Sequence, residues 1–139
     1  MTIMTEARLC QANYQHSLNM RFSPITKPLS KFTIQLVETF ADQTPWGPFF
    51  VPIGFIYNGA SIPRLGQFVL GVSRYGAQVR GPAVVHDYHY RYQTRSRRQS
   101  DKIFYWMLRA NGVNVFKAAL MYRTLRLFGR IAWNKNKSK

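Results

Sequence analysis

The chain has 139 residues, 46% of them hydrophobic, with 20 lysines and arginines against 5 acids and a net charge of +15. That length and apolar content suit one domain with a real core and exclude wholesale disorder. A lone Cys10 excludes an internal disulfide framework and a cysteine zinc knuckle, no run approaches the ~20 apolar residues of a membrane span, and Met1 to Met20 lacks the unbroken apolar stretch of a signal peptide.

Beyond Asp42 the only acids are Asp87 and Asp101, set among sixteen basic residues from Arg64 to Lys139. Such an imbalance points to an anionic partner: nucleic acid, an anionic phospholipid surface, or an acidic protein face. It also makes the two remaining carboxylates conspicuous, since a strongly positive field favours their charged form.

Residues 1–30 read as an extended arm punctuated by Pro24 and Pro28. Lys31 to Phe40 alternates Phe32, Ile34 and Leu36 with Thr33 and Gln35, the period of a half-buried strand. Thr44-Pro45-Trp46-Gly47-Pro48 is a turn, and Phe49 to Tyr57 is a second strand whose Pro52 and Gly54 suggest an edge or a bulge. Residues 31–63 therefore form a β-hairpin, left through the turn Asn58-Gly59-Ala60-Ser61-Ile62-Pro63. A helix opens at Gly81-Pro82 and runs to about Gln93. A second begins after Ser96, which with Gln99 fits a capping box, and stops at Asn111-Gly112. A third runs from about Asn114 to Trp133, before a basic, frayed tail at 134–139. The expected fold is a single helix-dominated α+β domain. In it a β-hairpin or small sheet packs on a three-helix body (81–133) containing an antiparallel helical hairpin.

His86 and Tyr90 lie four apart on one helix face, and Asp87 points to the adjoining face. Asp101 shares a stripe with Phe104 and Leu108 on the next helix. A carboxylate on an apolar stripe needs a partner if buried, and His86 and Tyr90 are the nearest candidates. A carboxylate on one imidazole nitrogen fixes the tautomer and leaves the other nitrogen to deprotonate water. Asp87 can hold a hard cation such as calcium together with backbone carbonyls. The same set also reads as a buried polar network that only pins two helices.

His86-Asp87-Tyr88-His89-Tyr90 resembles the His-Asp-x-x-Tyr core of the phospholipase A2 superfamily, and Asp101-Lys102-Ile103-Phe104 resembles the Asp-x-x-Phe of its second catalytic helix. The resemblance implies His86 as general base, Asp87 as calcium ligand, and Asp101 and Tyr90 as groups that orient His86. Two departures stand out: no disulfide can form, and no glycine-rich calcium loop precedes the helix, the candidates being Tyr57 to Ala60, Tyr75-Gly76 and Arg80-Gly81. A broader resemblance, carried by Asn58-Gly59-Ala60-Ser61-Ile62-Pro63-Arg64, Val85-His86-Asp87-Tyr88, Tyr90-Arg91, Asp101, Met121-Tyr122 and Phe128-Gly129, is to an uncharacterised domain family of tailed phages. It implies a protein of the virion or the host cytoplasm, with other virion proteins among its candidate anionic partners.

Other arrangements are weaker. A zinc site on His86, His89 and Asp87 lacks further ligands, and His89 reads as a surface residue. Ser61 lacks the nucleophile-elbow pattern. Arg123, Arg126 and Arg130 share one face of the last helix, whose other faces carry Phe116, Leu120, Leu127 and Ile131. Arg91, Arg95, Arg97 and Arg98 cluster at the helical-hairpin tip among Tyr88, Tyr90 and Tyr92. Three functions follow: a phospholipase-like, calcium-assisted ester hydrolase acting on envelope lipid during entry or lysis, a non-catalytic virion component, and a nucleic-acid binder.

Overall fold

A computed structural model describes residues 21–30, 33–57 and 77–137. The chain order is β1 (Thr26–Pro28), β2 (Ile34–Leu36), β3 (Phe40–Thr44), β4 (Gly47–Val51), β5 (Ile56–Tyr57), α1 (Ala77–Tyr92), α2 (Arg97–Ala110) and α3 (Val115–Lys137). This is the helix-dominated α+β architecture expected from the sequence.

The strands form two small antiparallel sheets, β1-β2-β5 and β3-β4. They are sections of one hairpin. From Ile34 to Phe40 on one side and from Tyr57 to Val51 on the other is the same number of residues, so the register of the outer pair continues into the inner one. The turn falls at Thr44-Pro45-Trp46-Gly47, where Thr44 Oγ1 donates to Gly47 O and accepts from Trp46 N, and Gly47 takes the positive φ that its missing side chain allows. Pro52 cannot donate to a ladder, and regular pairing lapses after Val51 until Gly54 N donates to Leu36 O and Leu36 N to Phe55 O. The strand expected from Lys31 to Phe40 is thus two strands, and the end of the expected arm is itself a strand, β1, paired with β2.

α1 begins at Ala77, before the expected Gly81-Pro82 start, with Pro82 inside it. A proline there leaves the carbonyl four residues back without its helical donor. That carbonyl is Gln78 O, and the Asn111 side chain supplies the missing N–H at 2.9 Å. The same carboxamide also accepts from Phe22 N and donates to Phe22 O, so Asn111 clamps the first described residues to the helical body. Gly81 lies directly against the Phe22 carbonyl, and any side chain there would collide with backbone. α2 is capped by Ser96, whose hydroxyl accepts from Gln99 N, and ends at Asn111 followed by Gly112 at positive φ. The residues expected to form a frayed tail are helical as far as Lys137, tied down by Gln93 Nε2 to Trp133 O and by Asn136 Nδ2 to Tyr90 O.

The core runs from Phe22, Leu36, Phe49, Val51 and Tyr57 into Val84 and Val85 of α1, Ile103, Phe104, Met107 and Leu108 of α2, and Ala118, Met121 and Leu125 of α3. Burying side chains of this kind is worth about 1.5–3 kcal/mol each before entropy is counted. α2 packs against both other helices, and β4 packs against α1.

Candidate functional site

The centre of the helical body is a carboxylate. Asp101, one turn into α2, is fully buried together with Phe104 and Leu108 of the same stripe. Its Oδ1 accepts His86 Nε2 at 2.8 Å and the Tyr90 hydroxyl at 2.7 Å. Its Oδ2 accepts Arg126 Nη1 at 2.8 Å, with Arg97 Nη1 at 3.6 Å. All three helices therefore converge on one side chain. Burial alone would push the Asp101 carboxyl up, but the hydrogen bond and charge of His86, with the Tyr90 and Arg126 bonds, outweigh it and hold the group below the ordinary carboxylate range. The Tyr90 hydroxyl is pushed up by burial and by donating to Asp101, so it stays protonated.

An ionised carboxylate only accepts, so the proton of His86 that faces it is on Nε2, and the neutral form of the ring presents its lone pair on Nδ1. The imidazole is packed between the Tyr90 ring, centroids 4.1 Å apart, and Phe104 at 5.2 Å. His86 retains 7% exposure. Its Nδ1 makes no hydrogen bond among the described residues. Tyr90 is held edge-on by Trp133 at 5.1 Å. A Cβ on Gly129 would come within 2.6 Å of the Tyr90 oxygen, so this glycine makes room for the cluster.

The sequence thus placed His86, Tyr90 and Asp101 together, and the structure joins them. It missed the two arginines. Arg126 was assigned to an outward basic face with Arg123 and Arg130, but it reaches in to Asp101. Charge accounting could have found it, because a buried carboxylate in so basic a chain is poorly satisfied by neutral donors alone.

Asp87 lies on the adjoining face, half-buried. Its Oδ2 pairs with Arg91 Nη2 at 3.1 Å, and Arg91 also donates to Ile56 O and stacks on Phe55. Burial pushes the Asp87 carboxyl above its ordinary value, and Arg91 and His86 oppose this in part. Among the described residues no three His, Cys, Asp or Glu side chains gather into a metal-binding group. Those residues offer calcium one carboxylate, already neutralised by an arginine, and Arg80-Gly81 is inside α1. They do not by themselves fit the cation. The candidate loops at 58–60 and 75–76 lie outside the described residues, as does Ser61.

Most of the hairpin-tip arginines brace the fold. Arg95 donates to Trp46 O at 2.6 Å and Pro48 O at 2.7 Å, while Arg97 reaches the Leu125 and Arg126 carbonyls. Arg98, Arg123 and Arg130 are exposed, with no hydrogen bond or ion pair among the described residues. His89, expected at the surface, is 2% exposed, and its Nδ1 is buried without a partner among those residues. Burial first, then the charges of Arg95 and His86, push its pKa down to about 4. It borders a cavity of about 480 Å³ between Phe49 and Phe50 of β4 and Arg95 and Gln99.

The chain is similar over 79 residues, at 35% identity, to an uncharacterised protein, y4jT, of Sinorhizobium fredii, a stretch that is 57% of this chain and 23% of that protein. No solved structure matches it. The match that covers most of the chain is to a family profile over residues 34–125, which includes the hairpin, His86, Tyr90 and Asp101. The chain belongs to that family, DUF1353, described as a protein family of unknown function.

Proposed function

We propose that the domain is a phospholipase A2-like ester hydrolase in which His86 is the general base. The observation that supports this reading is the pinned imidazole: Nε2 is fixed at 2.8 Å on a fully buried carboxylate, which leaves Nδ1 as the nitrogen that can act as the base. Nδ1 takes a proton from water as the water oxygen attacks the ester carbonyl. The acyl C–O bond then breaks, and Nδ1 returns the proton to the departing alkoxide. Asp101 and Tyr90 position the ring, and Arg126 and Arg97 keep the carboxylate charged while the imidazole cycles. No step here runs through calcium. In the phage setting that the sequence resemblance implies, the ester belongs to envelope lipid, and the +15 charge favours anionic headgroups.

Fatty-acid release from phosphatidylglycerol vesicles, with and without calcium, tests the reading. The parent should turn over and His86→Gln should lose at least about a hundredfold in rate, the usual scale of a general base, while melting close to the parent. Equal rates, or a parent that releases nothing, would overturn it.

A second reading has its own observation. Three donors from α1 and α3 satisfy Asp101, with Arg97 of its own helix as a second cation at 3.6 Å, which is what a polar pin for a non-catalytic virion component requires. It predicts a parent with no turnover and a large stability loss on removing the carboxylate. The nucleic-acid reading is weaker, because Arg91, Arg95 and Arg97 are engaged with the protein itself.

A further inference from the structure

α3 has two apolar faces, and only one is covered. Ala118, Met121, Leu125, Gly129 and Trp133 are buried against the body. On the opposite side Phe116, Leu120, Leu127 and Ile131 stand out, 81%, 45%, 74% and 64% exposed. At 3.6 residues per turn these four fall on one line, about 20 Å long at 1.5 Å per residue. The exposed Arg123 and Arg130 flank that line on one side, and the exposed Lys117 and Lys135 on the other, with Phe128 beside the lysines. The helix carries no acid at all. No described helix is long and apolar enough to cross a membrane.

We propose that this outward face of α3 docks the protein on an anionic lipid surface. The apolar line enters the headgroup–acyl boundary while the arginines and lysines on its two flanks meet lipid phosphates, the arrangement of a helix lying in the interface plane. Charge complementarity selects this occupant over a second copy of the chain. Pairing two α3 helices through this face would set cation against cation with no acid to relieve them. The inference deepens the lipid reading above, since it names the surface that would bring an ester to His86, but it depends on none of the His86 chemistry.

The test is vesicle flotation of the full chain on phosphatidylglycerol–phosphatidylcholine vesicles and on phosphatidylcholine alone. The parent should float with the anionic vesicles, weakly with neutral ones, and less in high salt. Leu127→Glu with Ile131→Glu should reduce anionic-vesicle binding at least tenfold without changing the melting temperature, because both side chains are already in water. Arg123→Glu with Arg130→Glu should erase the preference for anionic lipid, and His86→Gln should bind like the parent. Binding that ignores lipid charge, or survives the Leu127 and Ile131 changes, overturns the proposal. So does a dimer in sedimentation that those changes dissociate, or duplex DNA held where vesicles are ignored. A parent that floats but releases no fatty acid sinks the hydrolase and leaves the docking face standing. Release that is indifferent to the Leu127 and Ile131 changes does the reverse.

Discussion

Two histidines on adjoining faces of α1 meet opposite surroundings. His86 faces α2 and α3 and finds a buried carboxylate at 2.8 Å. His89, less than a turn away, faces the hairpin and finds Arg95 and Phe49, with its Nδ1 buried and unpartnered among the described residues. The first is given a fixed tautomer and a free base. The second is held neutral by burial and by a neighbouring cation. The difference lies in what the adjoining element carries. The helix–helix seam contains one of the chain's five acids, whereas the helix–hairpin seam is closed by an arginine whose hydrogens already go to Trp46 O and Pro48 O. In a chain this basic, the placement of a single acid decides which histidine has a carboxylate to hold its ring.

Removing that acid should blur the contrast most. Asp101→Asn keeps the shape but leaves Arg126 and Arg97 without a counter-charge in a buried setting, and should cost about 3–5 kcal/mol. Thermal melting should show a fall of roughly 10 °C or more. A melt within two or three degrees of the parent would mean that the carboxylate does not hold the helices.

The His89 side is probed by acid. Its folded-state pKa lies below the ordinary 6.5, so the unfolded chain binds the proton first. The contribution is fully present above pH 6.5 and is lost as pH falls from there toward about 4. Its ceiling is about 3 kcal/mol, from the linkage of roughly 1.4 kcal/mol per pH unit. Denaturant unfolding of the parent and of His89→Gln across this window should show a smaller acid slope in the variant. Parallel slopes would place the acid sensitivity elsewhere.

Much of this was legible in the sequence because it rests on local rules. Ser96 before α2 and Asn111-Gly112 after it are short-range signals, and they mark the helix where it is. The Asp101, Phe104 and Leu108 stripe points the carboxylate inward by periodicity alone, and the four-residue spacing of His86 and Tyr90 puts them on one face. What failed depended on distant partners. Pro82 reads as a helix start only until Asn111 satisfies Gln78 O from thirty-three residues away. His89 reads as surface until β4 and Arg95 cover it. On α3 the sequence offers two apolar lines. Periodicity cannot tell which is core, because small residues such as Ala118 and Gly129 mark the closely packed side while the larger Phe116 and Leu127 stay in water.

The Asn111 clamp has a chemical consequence. Asparagine followed by glycine is the pairing most open to deamidation, in which the following backbone nitrogen attacks the side-chain amide and ammonia leaves. In the folded chain both reactants are engaged: the carboxamide with Phe22 and Gln78, and Gly112 N with Arg109 O. Ageing of this bond therefore belongs to the unfolded chain. An aspartate formed there would face the Phe22 and Gln78 carbonyls with no hydrogens to offer, so each damaged molecule would refold less well than before. Peptide mass mapping after repeated heating and cooling should find deamidation at Asn111 rising with the number of cycles. A native sample held for the same time below its melt should show little, and equal damage in both would mean that the clamp gives no shelter.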